Sequence, residues 1–214
     1  AGIYNVRSFI SDDPVQFPHR FTEKRDIEIS AFITSWISYG RRELILRKAD
    51  WLHSRMGGSP YEWVLSGRYW ELVSDVPAGK RDTFYRFYTH SDLCALCDRL
   101  KEIYQRYDSL EDALAASSYP NPVFKLQDLF SGINGIPVMG GTSACKRLAM
   151  FLRWMVRTDG IVDFGIWQTV FHPRQLIIPL DTHVHQISLE LGLTQQLTAT
   201  LKTALEITEA LSHI

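Results

Sequence analysis

Two residue types in this chain could do covalent chemistry on a sugar. Asp181 stands in the run Pro179-Leu180-Asp181-Thr182-His183-Val184, at the mouth of a short amphipathic stretch that closes near Gly192. Lys146 lies 35 positions upstream, on a separate helical segment. A neutral lysine amine can attack the anomeric carbon of a nucleoside and displace the base. The resulting Schiff base can then eliminate the 3′ phosphate. A carboxylate nearby stabilises the developing positive charge or carries a proton. Burial and a cationic neighbour such as Arg147 would both favour the neutral amine. Each residue also has a plain structural reading. Asp is among the best helix N-caps and this position needs one. Lys146 fits a solvated helix lysine.

The elements that must position this pair read as helices. Ile29, Phe32, Ile33 and Trp36 recur at three and four, up to a break at Gly40. Leu44, Ile45, Lys48, Trp51 and Leu52 predict a second helix, ending at Gly57-Gly58. Ser59-Pro60-Tyr61-Glu62 reads as a capping box with Pro at the first helical position. Pro77-Ala78-Gly79-Lys80 reads as a turn. Ser91 or Asp92 caps a predicted helix through about Tyr107, and Ser109 with Asp112 repeats the capping logic. A Ser-, Pro- and Gly-rich loop follows, chiefly 131–143. The helix predicted over 144–157 packs Leu148, Phe151, Leu152 and Met155. Lys146, Arg153 and Arg157 fall within about 20° of one another on a different face, at 100° per residue. That face is either a phosphate-binding stripe or an ion-pair surface for Asp159 and Asp163. Residues 158–178 read as an irregular connection. Asp181 then opens a helix, and a last helix begins near Thr198. The predicted fold class is all-α.

Composition narrows the partners. The hydrophobic share of 45% and the charged share of 22% are ordinary for a globular protein. No apolar run is long enough to span a bilayer, and no signal peptide is visible, so no membrane partner is expected. Three cysteines suit a reducing cytoplasm, the expected location, better than a disulfide framework. Cys94 and Cys97 form a C-x-x-C within an apolar stripe, read as core packing, and no metal is expected. Basic and acidic residues number 23 and 24, so nucleic-acid binding would rest on a local basic patch.

The segment LDTHVHQISLELGL resembles the aspartate-bearing segment of the helix-hairpin-helix DNA glycosylases, typified by endonuclease III. Upstream, Gly140-Gly141-Thr142-Ser143-Ala144-Cys145-Lys146 is similar to that family's glycine hairpin followed by a lysine. The segment at 26–52 resembles the fold's early paired helices. A narrower likeness joins SACKRLAMFLRWMVRTDGIVDFGIW and LIIPLDTHV to an uncharacterised bacterial family related to archaeal 8-oxoguanine glycosylases. The stronger resemblance spans about 138–193. It departs from the family in three ways. Ile136 to Gly141 only approximates the L-P-G-V-G-x hairpin that grips phosphate, the Lys–Asp separation is long, and the four-cysteine cluster motif is absent.

The resemblance implies a helix-hairpin-helix glycosylase-like fold of two helical lobes flanking a cleft. Residues 26–157 would form one lobe, and 1–25 with 165–214 the other. It implies a DNA base-excision glycosylase, with or without lyase activity, on a damaged duplex carrying a lesion such as an oxidised base. Lys146 would be the Schiff-base lysine and Asp181 the catalytic carboxylate, with no cofactor. Trp36, Trp167 and His183 are candidates to line a base pocket. Among the other aromatics, Tyr39, Trp154 and Phe171 could also stack on a flipped base. Gly140, Gly141, Thr142, Arg41, Arg42, Arg147 and Arg153 are candidates for DNA phosphate, and His185 is expected to be exposed. Two other readings stay open: a nucleic-acid-binding module of the same fold without chemistry, and a structural or partner-binding helical protein.

Overall fold

The computed structural model describes residues 5–74, 76 and 82–213. The turn expected at 77–80 lies outside them. The described residues form helices joined by loops and short 3₁₀ turns, with two isolated β-bridges. None of these helices is long and apolar enough to cross a membrane.

The first half of the chain builds around one buried helix. A short helix α1 (Arg7–Ser11) precedes α2 (Lys24–Ile37), in which every residue from Asp26 to Ile37 is buried. A helix covered on all sides belongs at the centre of a packed domain. Helix α2 ends where Ser38 leaves the helical conformation, and Gly40 follows at φ +94°. Helix α3 (Arg42–Met56) ends at Gly57, as its sequence predicts. Helix α4 (Pro60–Ser66) has Pro60 at its first position, and the Ser59 side chain accepts from the Glu62 N–H. The other half of the expected box is taken differently: the carboxylate of Asp26 on α2 accepts from Ser59 Oγ and the Tyr61 N–H, both at 2.8 Å. The cap thus also joins α4 to α2.

Helix α5 (Glu71–Ser74) is a single turn. Helix α6 runs His90–Tyr104, not to Tyr107, and its cap is Thr89 in a reciprocal box with Asp92, not Ser91 or Asp92. Helix α7 (Leu110–Ala115) starts at the expected Ser109 cap. Helix α8 (Pro122–Leu129) was not expected from the pattern, although Asn121-Pro122 is a cap followed by proline at the first helical position. Eight residues are too few for a periodic signal to stand clear of the surrounding loop.

Helix α9 (Lys146–Val156) packs its apolar stripe against α2. Phe32 of α2 meets Phe151 edge-on at 5.1 Å and stacks on Phe130 at 4.1 Å. Each such pair contributes about 0.5–1.5 kcal/mol beyond area burial. The chain then returns along the end of α9. Phe164 and Trp167 donate backbone N–H groups to Trp154 and Met155. Asp159 gathers the N–H groups of Ile161, Val162 and Asp163. The indole of Trp167 is wholly buried and donates at 2.6 Å to Glu28, which also accepts from Tyr104 Oη and the Leu110 N–H. These ties fix where the chain emerges to begin α10 (Thr182–Glu190). The last helix, α11 (Leu201–Ser212), is capped by Thr200, slightly later than expected.

Candidate functional site

Helix α9 begins abruptly. Cys145 is buried and holds φ +53°, a conformation rare for a residue with a Cβ, and its N–H is tied to Ser143 Oγ. Such a backbone persists only where its surroundings enforce it. Lys146 is therefore the first residue of α9, where its side chain reaches outward. Asp181 is the N-cap of α10 and divides its two oxygens. Oδ1 accepts from the Val184 N–H at 2.9 Å, and Oδ2 accepts from Lys146 Nζ at 2.9 Å. The sequence left cap and lysine partner as alternatives, and the geometry places Asp181 in both positions at once. Partial burial would raise its carboxyl pKa. The Val184 N–H, the Lys146 ammonium and the His183 N–H outweigh it and hold the group below the usual carboxylate range.

Lys146 also lines a cavity of about 310 Å³, with Phe32, Trp36, Tyr39, Ile136 and Arg147 among its walls. Trp36, at the end of α2, stacks on Tyr88 with centroids 4.0 Å apart and planes 4° from parallel. Its indole donates to the Asn134 carbonyl at 2.8 Å. Arg147 holds the walls together. Its guanidinium donates to the Trp36 carbonyl, to Tyr88 Oη at 2.5 Å and to the Gly135 carbonyl at 2.8 Å, and lies over the Tyr39 ring. Gly135 sits at φ +83°, and a Cβ there would fall 1.9 Å from Tyr88 Oη.

Several expectations need correction. Arg147 is turned inward to tie the pocket and is not a free phosphate contact. Arg153 and Arg157 bind the buried carboxylate of Asp163, so that face is an ion-pair surface. Trp167 is core and is not one of the cavity walls: it packs edge-on against Phe151, and its indole is spent on Glu28. Trp154 and Phe171 are also buried and do not line it. The two histidines exchange the expected exposure, and neither lines the cavity. His185 is buried with Nε2 at 2.7 Å from the Gln196 carbonyl, whereas His183 is exposed on the first turn of α10 and does not line the cavity.

Trp36 does line the cavity. Gly140, Gly141 and Thr142 are exposed in a tight turn closed by the Gly141 N–H on the Val138 carbonyl. Arg41 and Arg42 are exposed at the start of α3. Cys94 and Cys97 are wholly buried, and burial raises both thiol pKa values, that of Cys94 to about 12. Sequence reasoning missed Gly135 and Tyr88, whose partners lie far away along the chain, and no local signal marks them.

No curated protein and no solved structure matches the chain. A family model matches residues 13–214, and the chain belongs to that family, described as a protein of unknown function (DUF2400).

Proposed function

We propose that this protein is a DNA base-excision glycosylase in which Lys146 and Asp181 act on a nucleotide whose base occupies the Trp36–Tyr39 cavity. One observation carries the reading: Lys146 touches both an aromatic-walled cavity and a carboxylate 2.9 Å away. The cavity is at the lower end of the roughly 300–1,000 Å³ typical of small-molecule sites. That suits a single flipped base. A damaged base such as an oxidised purine is the substrate class implied by the family resemblance. In the same reading, residues 26–157 and residues 1–25 with 165–214 are two lobes about a cleft.

Lys146 Nζ gives its proton to solvent and attacks C1′ as the free amine. The bond from C1′ to the base breaks as the new bond forms, and the base departs with the bonding pair and takes up the proton that the newly bonded Nζ releases. The sugar ring then opens to a lysyl Schiff base, and loss of a 2′ proton expels the 3′ phosphate. Asp181 is already ionised near neutral pH, so it is a poor store for the lysine proton. Its carboxylate instead stabilises the positive charge that develops at the sugar. Arg147 keeps the aromatic walls in register.

A second reading has a specific support. The cap and the ion pair account for every contact of Asp181 without chemistry, as in a nucleic-acid-binding module of this fold. Borohydride trapping on duplexes carrying an abasic site or 8-oxoguanine separates the two. An adduct formed by the wild type and lost in Lys146→Gln supports the lysine mechanism. An abasic site traps any accessible amine, so an adduct that persists in the variant sinks it. No adduct with either protein favours the binding module.

A further inference from the structure

A second groove lies beside the first cavity. About 360 Å³ in volume, it runs between α3 and the turn at 84–88, lined by Arg47, Lys48, Trp51, Phe84, Tyr85 and Arg86. Its charge is unmatched. Among the described residues Arg47, Lys48 and Arg86, and Arg55 alongside, form no ion pair with a carboxylate. Asp50 of α3 is engaged by Arg20, and Asp82 by His90 and Ser91. Lys48, Arg55 and Arg86 are instead held by rings. Lys48 Nζ lies 4.3 Å from the Trp51 centroid and 4.9 Å from that of Phe84, and Arg55 covers Trp51 at 3.8 Å. Burial, then Arg55 and Arg47, push the Lys48 ammonium pKa down, a penalty that a bound anion would relieve.

The turn that closes the groove is held in an unusual state. Tyr85 and Tyr88 bridge across it, and Arg86 between them takes φ +53° where glycine is favoured. Its guanidinium lies over Tyr39 and against Gly40, both walls of the first cavity. Phe87, next along, is 77% exposed. Cationic side chains beside an exposed ring are how proteins track a nucleic-acid backbone and stack a base.

We propose that this groove binds the phosphodiester backbone of a nucleic-acid strand running past the mouth of the Trp36–Tyr39 cavity, with Arg47, Lys48 and Arg86 on phosphates and Phe87 on a neighbouring base. The proposal rests on the nucleic-acid reading above and not on the lysine chemistry.

The test is equilibrium binding of a labelled duplex carrying a stable abasic analogue, titrated across salt concentrations, with melting temperature as the control for folding. Arg47→Gln/Lys48→Gln is expected to bind about tenfold more weakly, with a slope of log K against log salt shallower by about 0.9 per phosphate released. Arg86→Gly relaxes the left-handed backbone, so it should bind more weakly with no fall in melting temperature. Phe87→Ala should lose about fivefold or more with an unchanged slope, since it removes a stacking face and no charge. Wild-type affinity and slope in all the variants would overturn the groove and leave the glycosylase reading to the trapping experiment. Displacement of the duplex by inorganic phosphate at constant ionic strength would make this a small-anion site and overturn the strand assignment. No duplex binding by the wild type would overturn this proposal and the proposed function together.

Discussion

Replacing Asp181 separates its two contacts. In Asp181→Asn the amide oxygen can still accept from the Val184 N–H, because Asn caps as well as Asp. What disappears is the charge facing Lys146. That pair is more than one-third exposed on both sides, so its loss should cost no more than about 1 kcal/mol. Asp181→Ala loses the cap as well, worth about 1 kcal/mol. For a chain of this size each kcal/mol moves the melting temperature by about 2–4 °C. The Asn variant should therefore melt within a few degrees of the wild type, and the Ala variant about 2–4 °C below the Asn variant. On the proposed glycosylase reading, single-turnover base release should fall by about a hundredfold or more in both. The pair also predicts a pH signature. The folded-state pKa of Asp181 is lowered from its ordinary value of 3.8. The stability it contributes is full above that value and is lost as pH falls through the lowered one. Melting curves of the wild type and Asp181→Asn should converge in strong acid. Equal destabilisation by Asn and Ala would refute the cap. Base release by the Asn variant at the wild-type rate would refute the chemical role.

Three further outcomes follow from two buried groups, His53 and Glu28, and from the tight turn at Gly135. His53 is 3% exposed between Ser30 Oγ and the Ala49 carbonyl, and burial lowers its pKa from 6.5 to about 4. Its contribution, on the order of 3 kcal/mol, is present above pH 6.5 and drains away as pH falls toward about 4, so denaturant midpoints should drop across that window. Flat midpoints there would contradict this. Glu28→Gln sets an amide N–H₂ among three donors, from Trp167, Tyr104 and Leu110, and should cost about 2–4 kcal/mol by chemical denaturation. Gly135→Ala forces a Cβ against Tyr88 Oη at a positive φ, which should cost about 2–4 kcal/mol. Through Tyr88 and Arg147 it should also abolish base release, measured beside urea unfolding; an active, equally stable variant would show that this wall does not matter.

Much of the helical framework was legible in the sequence because helix ends announce themselves locally. Ser59, Ser109 and Asp181 are side chains that satisfy free N–H groups within three residues, and Gly57 and Gly192 take positive φ at helix ends. The residue types of the candidate chemistry, an amine and a carboxylate, were legible as well. Their meeting was suggested by a resemblance, and only the packed chain sets the 2.9 Å between them.

What surrounds the pair was not legible, because it depends on partners distant in sequence. Arg147 reads locally as a surface cation, yet it closes hydrogen bonds to groups 111, 59 and 12 residues away. Trp167 lies in a segment with no period, so nothing local distinguished a pocket wall from a core indole until Glu28, 139 residues earlier, took its N–H. His183 and His185 share a helix flanked by exposed apolar residues, and which of them is covered was decided by the loop bearing Gln196. Caps and turns are settled by bonds that a few residues make among themselves. Whether a polar side chain faces solvent or a cavity is settled by the desolvation cost of every group that folding brings against it, and those groups are chosen by the tertiary structure.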